Sequence, residues 1–305
     1  MYNLLLKLDR LTFLQRLTLA QERLTTFRPK PAQVQVVFLL WCEEAVSMQT
    51  RVPSEVPQLF SVLGLPVHLL NNYSAWLASR AQQQLGCHVV TLNAEMTMQA
   101  EENPHLASII HQADLVIPDG AGIVLYLRLH GKQMQRCPGI ELAEALLTEF
   151  GRSPGLGSVF FFGGAPGVAQ KAADIQQEKL PGLAIVGTQH GYISAEEEQA
   201  FHQTLRTLQP RLILVGLGVP RQEFWIAEHR ALCPQAIWIG VGGSFDIWAG
   251  VKTRAPGWLR NNHLEWVYRL YQEPWRWRRM LALPKFALRA LIYRLTQRYP
   301  VSSQG

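Results

Sequence analysis

From about Phe60 onward, short apolar runs alternate with longer segments whose apolar residues recur at helical spacing. The runs 67–70, 87–91, 115–118, 159–162, 184–186, 212–215 and 237–241 have the length of buried strands. Alternation of this kind predicts an α/β fold, Rossmann-like, with a mostly parallel sheet and helices on both faces. Helix starts support it. Asn103-Pro104 supplies an N-cap followed by proline at the first helical position, and Ser194 with Glu197 has the spacing of a capping box. A helix beginning near Ile140 places Ala143, Leu146, Leu147 and Phe150 on one stripe. Upstream, Leu4, Leu8, Leu11, Leu14 and Leu17 predict a helix within 1–28, a short strand is expected at 34–41, and the polar stretch 43–58 reads as a linker. The chain thus divides into an N-terminal extension of unassigned role (1–58), an α/β domain (59–250) and a basic helical C-terminal appendage (251–305). No internal repeat is visible.

Composition narrows the class. With 305 residues, 48% of them hydrophobic and 17% charged, the chain can bury a substantial core, which excludes disorder and collagen-like order. Cys42, Cys87, Cys137 and Cys233 are far apart, with no C-x-x-C pair, and His88, His105, His111, His190 and His263 are scattered. Neither a disulfide framework nor a metal site is expected. The longest uninterrupted apolar stretch, 36–42, is far short of the roughly 20 residues that cross a bilayer, and Lys7, Asp9 and Arg10 stand where a signal peptide would be apolar. A reducing cytoplasm is the expected compartment.

Charge is unevenly distributed. Between Lys252 and Arg298 there are eleven basic and two acidic residues, a net of +9 against +6 for the whole chain, and four of the nine tryptophans (Trp258, Trp266, Trp275, Trp277) lie in the same stretch. Such a composition suits helices in the interface of an anionic membrane, each basic residue contributing about 1 kcal/mol there. Two other readings stand beside it: core packing with a solvated basic face, and nucleic-acid binding.

Candidate chemistry sits after the strands. Thr91-Leu92-Asn93 follows one, Pro118-Asp119-Gly120-Ala121-Gly122 a second, Gly163-Gly164-Ala165-Pro166-Gly167 a third, the stretch from Gly216 to Glu223 a fourth and Gly242-Gly243-Ser244-Phe245-Asp246 a fifth. A parallel sheet gathers all five along its carboxyl edge, where ligands bind. Glycines there permit close approach to a phosphate, so Gly163, Gly164, Gly216 and Gly218 are candidate diphosphate cradles, or plain strand-to-helix turns. Neither loop is a full G-x-G-x-x-G, no P-loop is present and no G-x-S-x-G elbow appears, which argues against dinucleotide enzymes, P-loop NTPases and serine hydrolases. Asp119 is the carboxylate best placed for general-base work, although Asp-Gly is also a common turn. Thr91 and Asn93 either hold a sugar or a nucleophilic hydroxyl, or cap a helix.

Taken together, these motifs, with Gly139-Ile140-Glu141-Leu142, Arg254-Ala255-Pro256 and the run from Leu264 to Leu270, closely resemble the WecG/TagA/CpsF family of bacterial glycosyltransferases over roughly 70% of the chain. The resemblance implies a metal-independent inverting transferase, without cofactor. It would move N-acetylmannosamine or its uronic acid from a UDP-sugar donor to a polyprenyl-diphosphate-linked acceptor at the cytoplasmic face of the plasma membrane. It places Asp119 on the family's base, and Thr91 and Asn93 on its active-site threonine and asparagine. Gln222, with Glu223 beside it, falls in the G-x-G-x-P-x-Q-E loop, and Arg136 on a basic residue of the donor site. Arg269, Arg276 and Arg279 match arginines that grip the lipid diphosphate. Residues 1–58 have no counterpart in the family.

The chemistry is consistent with that resemblance. A sugar hydroxyl is a poor nucleophile at neutral pH and needs one carboxylate in reach, while the departing diphosphate needs its charge neutralised. No acidic pair near the glycine loops suggests a Mg²⁺ clamp, which leaves that neutralisation to arginines. A soluble UDP-sugar epimerase would share the loops without needing the basic tail, and a non-catalytic binding protein would keep only the fold. Oligomeric state is not legible in the sequence, and association between copies of the chain stays open as a reading.

Overall fold

A computed structural model describes residues 55–262 and 264–297. The helix expected at 1–28, the strand at 34–41 and most of the linker at 43–58 therefore lie outside the described residues. The described chain begins with an antiparallel hairpin, β1 (Gln58–Val62) and β2 (Leu65–Leu69), turning through Leu63 and Gly64 at positive φ. The apolar run 67–70 thus belongs to a hairpin rather than to the main sheet, and β1 begins at the last residue of the expected linker. The hairpin abuts the sheet edge, where the backbone N–H of Val116 donates to His68 Nδ1 at 2.9 Å.

Helix α1 (Tyr73–Gln82) leads into a six-stranded sheet. Its strands are β3 (Cys87–Leu92), β4 (Leu115–Pro118), β5 (Val159–Gly163), β6 (Ile185–Gln189), β7 (Leu212–Gly216) and β8 (Ile237–Gly240). All pair in parallel, in the order β4-β3-β8-β7-β5-β6. The connecting helices are α2 (Ala94–Glu102), α3 (Pro104–Gln112), α4 (Ala121–Leu129), α5 (Gly139–Arg152), α6 (Val168–Lys179), α7 (Ala195–Leu208), α8 (Arg221–His229) and α9 (Ser244–Trp248). The capping signals work as the sequence predicts: Asn103 accepts from the N–H groups of His105 and Leu106, and Ser194 and Glu197 form a reciprocal box.

Both faces of the sheet are covered, and β3, β4, β5, β7 and β8 are buried along almost their whole length rather than alternating, while the edge strand β6 is partly exposed. Val89, Leu115, Phe161, Leu214 and Ile239 face a core shared with α1, α5, α6 and α9, including the predicted stripe Ala143, Leu146, Leu147 and Phe150. Val90, Leu92 and Val116 face α2, α3 and α4, while Phe160, Phe162, Ile213, Val215 and Trp238 pack with Phe201 and Ile226 of α7 and α8. Each fully buried side chain of this size contributes roughly 1.5–3 kcal/mol.

The appendage comprises α10 (Gly257–Asn261), α11 (Glu265–Gln272), α12 (Trp277–Met280) and α13 (Ala282–Gln297). Core packing accounts for part of it: Phe286 of α13 is buried against α4, its ring edge-on to Tyr126 and close over Gly122. Trp258, Tyr271, Trp275 and Trp277 are exposed instead. Among the described residues no helix is long and apolar enough to cross a membrane.

Candidate active site

Parallel strands of matched length bring all five predicted loops to one edge. Registers align Leu92 with Pro118, Val215 with Gly240, and Gly163 with Gly216, so the strand ends are level. Asp119 leaves β4, its backbone N–H held by the carbonyl of Leu92 at 2.8 Å. The glycine loop after β7 lies three strand spacings away, about 14 Å, a span suited to a sugar joined to a diphosphate.

Asp119 is partly buried. Loss of solvent raises its carboxyl to about 6, against the opposing pull of Arg269, Arg136 and the N–H of Gly139; the negative charge of Glu265 adds to the rise. The two arginines are fixed by Glu265, which sequence reasoning missed. Its Oε2 accepts from Arg136 Nη1 at 3.1 Å and its Oε1 from Arg269 Nη2 at 2.7 Å. Both cations hold the Glu265 carboxyl below the usual range, outweighing its burial. The spacing Glu265-x-x-x-Arg269 is a readable helical pair, but nothing local announces its link to Arg136.

Thr91 and Asn93 stand beside this group. Buried Thr91 donates from Oγ1 to the carbonyl of Gly240 at 3.4 Å, and a Cβ on Gly139 would meet its methyl at 3.0 Å. Asn93 caps α2, its Oδ1 accepting from the N–H of Met96 at 2.9 Å. The cap uses the oxygen and leaves the amide nitrogen for another partner. Close by, the turn carrying Arg136, Cys137 and Pro138 lines a cleft of about 480 Å³ with Asn71, Ser74 and Glu141. Asp119 is not on the wall of that cleft.

The glycine loops have two kinds of glycine. Gly163, at φ +130°, passes so near Gly216 that a Cβ would meet its backbone at 2.5 Å, and Gly164 donates to the Gly216 carbonyl at 3.0 Å. These glycines serve contact between loops. Gly218 and Gly242, also at positive φ, have open space where a Cβ would lie. Gln222 ties the two open tips together: its buried Oε1 accepts from Gly218 N–H at 3.1 Å and Gly242 N–H at 3.0 Å, and its Nε2 donates to Glu223 Oε1 at 2.9 Å. Glu223 is buried too, which pushes its carboxyl up to about 7. The structure therefore places Gln222 and Glu223 beneath the loops as a brace.

Of the remaining predicted arginines, Arg276 pairs with Glu273 at 2.7 Å and Arg279 with Glu95, two residues after Asn93. Glu273 is linked through Lys252 to Asp246 of the fifth loop, at 2.9 Å on each side. Arginines from the appendage thus meet the site's rim at several points, Arg269 acting most strongly on Asp119.

Comparison with known proteins agrees with this geometry. The glycosyl transferase WecG/TagA/CpsF family model matches residues 60–300. The chain is 38% identical over 210 residues to the N-acetylglucosaminyldiphosphoundecaprenol N-acetyl-beta-D-mannosaminyltransferase of Bacillus spizizenii, covering 68% of this chain and 80% of that protein. To the protein of the same name from Bacillus subtilis it is 31% identical over 245 residues, covering 80% and 92%. The motifs at the strand ends, the arginines that converge on Asp119 and these matches lead to one conclusion: the chain is a glycosyltransferase and belongs to the WecG/TagA/CpsF family.

Proposed function

We propose that the enzyme transfers an N-acetylmannosamine-like sugar from a UDP-sugar to a polyprenyl-diphosphate-linked acceptor sugar, with inversion, during assembly of a cell-surface polysaccharide. The relatives' name gives an N-acetylglucosaminyl-diphosphoundecaprenol acceptor and a β-mannosaminyl product for those proteins. Formed from an α-linked nucleotide sugar, a β product requires one displacement with inversion. The single observation that carries the reading is Asp119, a carboxyl raised to about 6 at the end of β4, in the electrostatic field of Arg136 and Arg269.

In this mechanism Asp119 accepts the proton of the acceptor hydroxyl as its oxygen bonds to the donor anomeric carbon. The bond from that carbon to the diphosphate breaks on the opposite face, and the electron pair leaves with UDP. A carboxyl near 6 is ionised at neutral pH yet more basic than an ordinary aspartate, which suits a general base. The open tips at Gly218 and Gly242, with Gly163, Gly164 and Gly216 packed behind them, receive the donor diphosphate, and Gln222 with Glu223 hold their shape. Thr91 sets the position of Gly139, and Asn93 offers its amide N–H to a sugar oxygen. Arg136 and Arg269, with Arg276 and Arg279 further along the appendage, neutralise phosphate charge. Exposed Trp258, Tyr271, Trp275 and Trp277 seat the appendage in an anionic membrane surface, where the lipid substrate lies.

The test uses radiolabelled UDP-N-acetylmannosamine and a polyprenyl-diphosphate-linked N-acetylglucosamine in vesicles. Asp119→Asn is expected to lower kcat by roughly 10²- to 10⁴-fold with little change in stability. Wild-type kcat/KM should rise with pH through about 6 as Asp119 ionises. Transfer to the organic phase that survives Asp119→Asn unchanged would remove this residue from the mechanism.

A further inference from the structure

On the face of the sheet covered by α7 and α8, three side chains outside the reaction centre converge. Glu198 and His202 are one turn apart on α7, and His229 is the last residue of α8. Each offers one ligand atom, and these atoms lie within 4.8 Å of one another. Glu198 Oε1 is 3.8 Å from His202 Nε2 and 3.9 Å from His229 Nε2, and the two imidazole centroids are 4.5 Å apart.

We propose that Glu198, His202 and His229 form a divalent transition-metal site, with zinc as its occupant, that clamps α7 to α8.

The hydrogen-bonding pattern supports this assignment. His229 Nδ1 lies 2.9 Å from the carbonyl of Trp225, an acceptor, so that nitrogen carries the ring proton and a neutral ring keeps its lone pair on Nε2. That lone pair faces a carboxylate oxygen, also a pure acceptor when ionised. His202 Nε2 is buried and makes no hydrogen bond among the described residues. His229 Nε2 and the Glu198 carboxylate thus present electron pairs to each other, with the buried and unpartnered Nε2 of His202 beside them, an arrangement that a shared metal ion satisfies.

The surroundings have the form of a supporting shell. A metal-bound histidine usually donates its other ring N–H to a carbonyl or carboxylate, as His229 does to Trp225. Trp225 also orients the carboxylate, donating from Nε1 to Glu198 Oε1 at 3.4 Å, and it is packed against Phe162 and Phe201. Two imidazoles and a carboxylate are a zinc donor set, with bonds of about 2.0–2.2 Å, so the observed separations need only a modest contraction of side chains. The consequence reaches the sheet edge through α8, whose first turn carries Gln222 and Glu223 and whose last residue is His229. Metal binding would hold the helix that braces the loops at Gly218 and Gly242.

The test uses the full chain, stripped of metal with a chelator and titrated with ZnCl₂ by calorimetry, with bound metal counted by elemental analysis. One zinc per chain is expected, with a rise in Tm by mass action. Binding should weaken at least tenfold in His202→Gln and in His229→Gln. CoCl₂ should give the intense visible bands of a four-coordinate ion in the wild type and not in either variant. His202 lies partly exposed on α7, so His202→Gln keeps the test interpretable if His229→Gln fails to fold. No zinc uptake, or equal uptake by wild type and His202→Gln, would overturn the proposal. Neither readout depends on glycosyl transfer.

Discussion

The two halves of the site rim are held together by different physics. On the side of β5, β7 and β8, loops touch backbone to backbone at Gly163 and Gly216 and are pinned from below by the buried amide of Gln222. On the appendage side, most ties are ion pairs between partly exposed groups: Arg279 with Glu95, Lys285 with Glu102, Arg289 with Glu101. A buried hydrogen bond is costly to break because its partners are left unsatisfied. An exposed ion pair is worth about 0–1 kcal/mol and weakens with salt. In the proposed reaction the loop side would thus serve as a preformed mould for the donor, and the appendage as a cover whose arginines exchange carboxylates for phosphates at little cost.

The exception on the appendage side is its apolar anchor, and it gives the largest expected effect. Phe286 is a buried residue of α13, lodged over Gly122 and against Tyr126. Phe286→Ala should cost about 3–5 kcal/mol of docking. Faster hydrogen exchange in α13, with the protection of β7 and β8 retained, would show that the two halves come apart independently. Loss of protection throughout would show that they do not.

Gln222→Leu comes next. Replacing the amide leaves the N–H groups of Gly218 and Gly242 and Oε1 of Glu223 without their partner, at about 1–3 kcal/mol for each group that stays dry. Tm should fall and KM for the donor should rise more than KM for the acceptor. An equal rise in both would mean that the brace serves the whole rim rather than the donor side.

These two residues also mark what the sequence discloses and what it hides. Strands β3, β4, β5, β7 and β8 were legible because a doubly covered parallel strand is a continuous apolar run bounded by turn residues. The N-cap at Asn103 and the capping box at Ser194 were legible because capping is local. Strand β1 was not, since Gln58–Val62 is mixed in polarity and its Leu63-Gly64 turn is a weak signal. Asp119 and its loop were visible at a strand end, yet the motif containing Gln222 could not reveal whether that side chain faces a ligand or lies beneath the loops. The tie through Glu265 and the docking of α13 on α2 join residues more than a hundred positions apart, which no local pattern encodes.

Glu223 sharpens the comparison through pH. Its folded value of about 7 lies above that of an exposed glutamate, so the fold favours the protonated acid. The stability it permits is fully present below about pH 4.5 and is lost as pH rises to about 7, beyond which the penalty is complete. Glu223→Gln should remove this slope and raise stability above pH 7 by the order of 1–3 kcal/mol, measured by urea unfolding across pH 5 to 8. An unchanged slope would assign the pH dependence to other groups.

The smallest effect tests the appendage directly. Arg289 and Glu101 pair at 2.7 Å with about half of each side chain exposed, so Arg289→Ala should change global stability by less than about 1 kcal/mol. Raising salt should weaken the wild-type contact and leave the variant indifferent, because screening acts on a pair only while both charges exist. The loop side predicts the opposite pattern, with a large effect from Gln222→Leu that salt does not alter. If Arg289→Ala proved as costly as Gln222→Leu, and equally insensitive to salt, the appendage would be a rigid wall of the site rather than a cover, and the exchange of carboxylate for phosphate partners would lose its physical basis.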